Sequence, residues 1–429
     1  MLYAIVRPFA KIGLSLYFRK IYLTKVDRIP KDKPIILACN HPTAFLEPCI
    51  LACWLPFGLH FLVRGDVFKR PVFNFVLRAL HMLPIYRRRD GDLKSIKNNF
   101  STFDACYEAL KKKKVLTMFP EGHTVTEYRL RSLKKGLARI VMGMYEKYPD
   151  TEELFIIPIG FSYSAPHSFR SEVKIQVGHP IPTRSLYEMH KEQPNLGVNA
   201  ILKKLQKALQ QQMVIVDHPI KDIVADRLLT LTRSRFPFPA LPKTLSIADP
   251  LLAEQAIVSQ LNQLEQDEVK KLEKTTELYE IALLKHGLKD ETLLNGSQST
   301  SRSLLYMILL AVPALLGYLL NYLPVRFTSN TVKTNVKKIE YSGPVFVSTL
   351  VVMYMSFSFL SIIIALFFKL WMLLLLVPIM LLTGMAYIHF KAHANFLEQA
   401  RKLKKVSESR KLELLKMRSD LLSKLVVKN

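Results

Sequence analysis

Residues 34–48, P-I-I-L-A-C-N-H-P-T-A-F-L-E-P, decide the fold. The apolar run Ile35–Cys39 has the length of a buried strand rather than of a helix. Pro42 biases His41 away from the α conformation, so a helix begins only after it and His41 sits on the strand-to-helix turn. Outward from this unit the same alternation repeats. G-L-H-F-L-V-R (58–64), M-L-P-I-Y-R (82–87), V-L-T-M-F-P (115–120), L-F-I-I-P-I-G-F-S-Y (154–163) and V-K-I-Q-V-G (173–178) read as strands. Ala44–Leu55, Pro71–His81, Lys94–Lys111 and Lys134–Glu146 read as helices. Such alternation predicts an α/β domain over residues 26–195, a mostly parallel sheet flanked by helices.

Chemistry-bearing residues gather at the strand ends. Glu47 lies about one turn into the helix that follows His41 and can fold back toward the imidazole. A carboxylate on one ring nitrogen fixes the tautomer and leaves the other nitrogen as a base. The pair taken alone is weak, and reads more readily as a capping histidine with an unrelated helix glutamate. F-P-E-G-H-T (119–124) exposes the Glu121 carboxylate and the backbone at Gly122 after another strand. L-P-I-Y-R-R-R-D-G (83–91) puts Arg87, Arg88 and Arg89 after a third, either to hold an anion or as a solvated basic face at a lipid surface. Lys134 and Lys135 precede Gly136 at a helix start, a geometry suited to an anion. Strand ends share one edge of a parallel sheet, where open α/β folds bind ligands. One base, one carboxylate and two basic clusters there point to a phosphate-bearing substrate that loses a proton.

In chain order, N-H-x5-E (Asn40 to Glu47), a strand ending in Arg87, F-P-E-G (Phe119 to Gly122) and I-P-I-G (Ile157 to Gly160) resemble the glycerolipid acyltransferase family. That family includes lysophosphatidate and glycerol-3-phosphate acyltransferases. The resemblance covers residues 30–185. It is nearest to the bacterial and fungal branch acting on glycerol 3-phosphate or dihydroxyacetone phosphate, through P-I-Y-R-R-R-D-G and L-K-K-G-L-A-R (133–139). It implies transfer of an acyl chain from acyl-CoA or acyl-carrier protein to glycerol 3-phosphate, with lysophosphatidate as the alternative acceptor. By resemblance, His41 is the general base and Glu47 its orienting acid. Arg87, Arg89 and Lys134 hold the phosphate, Glu121 and the Gly122 backbone position the glycerol moiety, and Pro158 shapes the acyl-donor side. No cofactor or metal is implied, and Cys39, Cys49 and Cys53 are packing residues because the hydroxyl attacks the thioester directly. The chain departs from the family in three respects. The acid is Glu at a longer spacing instead of Asp, and His123-Thr124 replaces the usual Thr-Arg. These departures keep an inactive membrane scaffold or a lipid-binding module as rival readings.

The rest of the chain supplies a setting. Among 429 residues, 61 Lys+Arg outweigh 35 Asp+Glu for a net charge of +26, with 49% hydrophobic residues. A chain so basic and apolar belongs beside a polyanion. No nucleic-acid motif is present, so an anionic membrane is the expected partner rather than nucleic acid. Four cysteines without C-x-x-C exclude a disulfide scaffold and suit a reducing compartment. Arg7 and Lys11 interrupt the apolar stretch that a secretory signal would need. Residues 1–25 read as an amphipathic helix, on the membrane surface or packed on its own domain. Residues 196–300 read as a helical linker or accessory module. Leu304–Leu323 is uncharged and reads as an interfacial or re-entrant segment, while 345–368 and 370–390 form a membrane hairpin hinged near Lys369. The basic linker 324–344 and the basic tail 391–429 place the catalytic domain on the cytoplasmic face. The tail reads as an amphipathic helix for lipid or for a partner.

Overall fold

The computed structural model describes residues 2–86, 99–233, 243–295 and 300–426, and the chain forms two units. The first comprises Met1–Val214, Pro242–Leu251 and Val336–Ser348. It runs α1 (Leu2–Tyr17), β1 (Phe18–Thr24), β2 (Ile35–Cys39), α2 (Leu46–Trp54), β3 (Leu59–Arg64), α3 (Pro71–Ala79), β4 (Met82–Ile85) and α4 (Asn99–Lys111). Then follow β5 (Val115–Met118), α5 (Gly136–Lys147), β6 (Phe155–Tyr163), β7 (Ser171–Val177), β8 (Ile181–Pro182), α6 (Arg184–Glu192) and α7 (Pro194–Gln210), with β9 (Lys243–Leu245) added from further along.

The strands make one sheet in the order β4-β3-β5-β2-β6-β7-β1-β9, with β8 beside β6. All pairings are parallel except those of β6 with β7 and β8. Every residue of β2, β5 and β7 is buried, which is why β2 and β5 read as apolar runs without alternation. Leu137, Ile140, Val141 and Met144, spaced by three and four, put one face of α5 on Ile36, Leu116 and Ile156 of the sheet and on Ile201, Leu205 and Leu209 of α7.

The structure departs from the sequence reading at several joins. The N-terminal helix stops at Tyr17, because Phe18–Thr24 is drawn into the sheet between β7 and β9. α7 packs on β6 and α6 instead of opening a linker. Lys243–Leu245 is a strand within a stretch read as purely helical.

The second unit is helical, with α8 (Asp222–Arg233), α9 (Asp249–Gln263), α10 (Gln266–Lys285), α11 (Asp290–Asn295), α12 (Thr300–Asn335), α13 (Ser342–Phe368), α14 (Leu376–Lys404) and α15 (Glu408–Val426). The first residues of α9 and α13 belong to the first unit. Three helical stretches among the described residues are long and apolar enough to cross a membrane, Thr300–Asn335, Ile339–Phe368 and Trp371–Lys404. Residues 304–323 lie within α12, one helix that continues through Pro313 and Pro324 and runs antiparallel along α14. Gly317 permits that contact, since a Cβ there would overlap the Thr383 carbonyl oxygen. Asn321 donates to the Met380 carbonyl at 3.0 Å and accepts from the Tyr354 hydroxyl. The tail packs within its own unit: Arg418 of α15 meets Asp290 at 2.9 Å and Leu414 and Leu421 are buried.

Candidate active site

β2 lies between β5 and β6, so the turns after β2 and β5 meet at one sheet edge. Buried Asn40 locks the end of β2 to β6, donating to the Phe161 carbonyl at 3.0 Å and accepting from its N–H at 2.7 Å. One residue on, His41 Nδ1 lies 2.9 Å from Glu47 Oε2. The other carboxylate oxygen of Glu47 accepts from the Thr43 N–H at 3.0 Å, the Thr43 hydroxyl at 2.7 Å and the Tyr163 hydroxyl at 3.0 Å. Glu47 is fully buried, and this set of donors leaves it one orientation, aimed at the imidazole. Burial and the Glu47 charge hold the Tyr163 phenol far above its usual range, so it remains a donor. With Nδ1 engaged, Nε2 is the ring nitrogen left for a substrate, and the ring stacks on Phe119 at 4.1 Å.

Glu121 takes on a structural part that the sequence does not show. Its oxygens accept from the His41 N–H and the Arg131 N–H, each at 3.0 Å. Burial raises its carboxyl pKa, and these two bonds oppose the rise. The carboxylate therefore clamps the His41 turn to the loop after β5. Gly122 takes φ 69°, a left-handed turn that glycine adopts without strain, and lines the cavity described next.

A cavity of about 650 Å³ opens beside His41. Its polar lining includes His41, His123, Lys134, Arg139, Arg64 and Arg7. Its apolar lining comes from α1 (Tyr3, Val6, Ala10), α2 (Pro48, Ala52), α3 (Leu77) and β3 (Phe61, Val63). Burial pushes the Cys49 thiol on this wall up to about 12, so it stays protonated and inert as a nucleophile.

The structure thus brings His41, Glu47, Gly122 and Lys134 together. Pro158 is corrected: it is buried inside β6 opposite Ala38, takes the Gly178 N–H at 2.8 Å and does not line the cavity. Arg87 and Arg89 lie outside the described residues. Sequence reasoning missed Thr43, Tyr163, Arg64, Arg139 and Tyr341. A tyrosine hydroxyl at the end of an apolar strand was the one available signal, for Tyr163.

A base oriented by a buried carboxylate, set at the head of a largely apolar cavity, is equipped to activate a hydroxyl near an aliphatic chain. Residues 20–162 match the family model "Acyltransferase". "Glycerol-3-phosphate O-acyltransferase 2" of Saccharomyces cerevisiae is 30% identical over 150 residues, 34% of this chain and 20% of that protein. "Probable 1-acyl-sn-glycerol-3-phosphate acyltransferase 5" of Arabidopsis thaliana is 26% identical over 136 residues, 28% of this chain and 33% of that one. The crystal structure of the 1-acyl-sn-glycerophosphate (LPA) acyltransferase, PlsC, from Thermotoga maritima aligns at 16% identity with a TM-score of 0.33, covering 48% of this chain and 79% of that one. The chain is therefore similar, over residues 20–162, to the Acyltransferase family model and to parts of these named acyltransferases. It spans a fifth of the length of the yeast relative and a third of the plant one.

Proposed function

We propose that this protein is a membrane-bound O-acyltransferase that moves an acyl chain from a thioester to glycerol 3-phosphate. The observation that carries the reading is the His41–Glu47 pair at 2.9 Å beside the 650 Å³ cavity. His41 Nε2 takes the proton of the acceptor hydroxyl as that oxygen attacks the thioester carbonyl. The tetrahedral intermediate then collapses, the carbon–sulfur bond breaks, and the departing thiolate takes the proton back from His41. Lys134 and Arg139 supply positive charge for the acceptor phosphate, with Arg87 and Arg89 as further candidates. The donor is acyl-CoA or acyl-carrier protein, and no cofactor enters the step. The names of the plant relatives favour lysophosphatidate as a second acceptor. The three apolar helices and basic flanks support a membrane site, with the catalytic unit on the cytoplasmic face.

Full-length protein in lipid nanodiscs should convert labelled glycerol 3-phosphate to lysophosphatidate. His41→Ala should lower that rate by about 10²–10⁴-fold while membrane insertion is unchanged. Label transferred only to lysophosphatidate would move the reaction one acylation later. Activity that survives in His41→Ala would remove the base assignment.

A further inference from the structure

Val336–Ser348, which joins α12 to α13, belongs to the first unit although apolar helices flank it on both sides. Two contacts seat it there. The Ala44 N–H, three residues beyond His41, donates to the Glu340 carbonyl oxygen at 3.2 Å. Gly343 is packed so closely that a Cβ would overlap the carbonyl oxygen of Pro166, which also accepts the Tyr17 hydroxyl at 2.8 Å. Phe346 adds ring contacts to Tyr17 at 6.1 Å and to Phe169 at 6.0 Å. Between these anchors, Tyr341 lines the cavity that holds His41 and is 36% exposed.

From Ser342, α13 continues unbroken to Phe368, and its strongly apolar stretch begins at Val345. Four residues separate Val345 from Tyr341, about 6 Å at the helical rise of 1.5 Å per residue. Tyr341, at the cavity wall, therefore lies within about one helical turn of the apolar stretch of α13. A long acyl chain that entered the cavity from a bilayer along α13 would cross this rim.

We infer that Tyr341 is a specificity-determining residue, whose ring packs on the long acyl chain of the donor and which is held in place by the seats at Glu340 and Gly343. The inference rests on the acyl-transfer reading above. An aromatic ring at a rim favours chains long enough to reach it and is indifferent to shorter ones. The phenolic hydroxyl is not part of the role, so Tyr341→Phe should keep it.

The test uses the full chain in nanodiscs, with octanoyl and palmitoyl thioesters offered separately. Tyr341→Ala should raise KM for the palmitoyl donor about five- to tenfold, with kcat nearly unchanged and the octanoyl KM unmoved. Tyr341→Phe should match the wild type. An equal loss on both donors, or no change on either, would overturn the inference. A second arm needs no turnover: p-benzoylphenylalanine at position 341, irradiated with a labelled non-transferable palmitoyl thioether of coenzyme A, should capture label that unlabelled analogue competes away. Capture without transfer to any acceptor would sink the acyl-transfer reading and leave the Tyr341 contact standing. Transfer with neither capture nor a KM change would do the reverse.

Discussion

Glu47 carries more structure than its place in a motif suggests. One oxygen meets His41, and the other takes three donors from Thr43 and Tyr163. An amide in its place would turn an N–H₂ toward groups that themselves donate. Glu47→Gln is therefore expected to cost kcat about 10²–10⁴-fold by freeing or reversing the imidazole tautomer, with far-ultraviolet circular dichroism unchanged. Activity within a few-fold of wild type would show that His41 is oriented by something else. The His41–Glu47 pair was legible because six positions across a proline-marked helix start bring an acid back to the turn. The role of Glu121 was not. Sequence places a carboxylate at a strand end but does not say that it takes two backbone amides.

At the scale of elements, α1 is docked through a stack of rings. Tyr3 lies 5.1 Å from His81, which lies 4.8 Å from His60. Burial, reinforced by His81 and Lys114, holds the His60 pKa down from 6.5 to about 4. The unfolded chain binds that proton first, so the stability His60 contributes is present above pH 6.5 and is lost as pH falls toward 4. His60→Phe keeps a ring in the stack and removes the titration. Thermal unfolding in detergent should show a shallower loss over that window for the variant, and parallel curves would place the acid sensitivity elsewhere. The sequence shows α1 as an amphipathic helix yet is silent on this stack, which needs two strands and a helix to meet. The same holds for α12: its apolar centre was visible as an uncharged run, but its extent and the close approach of Gly317 to Thr383 were not.

For the whole molecule, the charge of +26 and the three apolar helices suit the proposed setting, an acyl-transfer unit at a membrane. Surface lysines and arginines contribute about 1 kcal/mol each against anionic lipid, a term that salt screens. Helices of this length hold independently of salt. The protein should stay in the membrane pellet through high salt and alkaline carbonate and leave it only with detergent; release by carbonate would reduce the association to a surface one. Local signals were enough for the α/β alternation, the base with its acid, and the apolar segments, because period, spacing and run length are properties of neighbouring residues. Contacts between distant residues were decided by tertiary structure alone: Tyr163 on Glu47 across 116 positions, β9 on β1, Arg64 and Arg139 at the cavity, and Val336–Ser348 at its rim. A hydrophobic pattern states that a residue is buried, and only the packed sheet chooses what it is buried against.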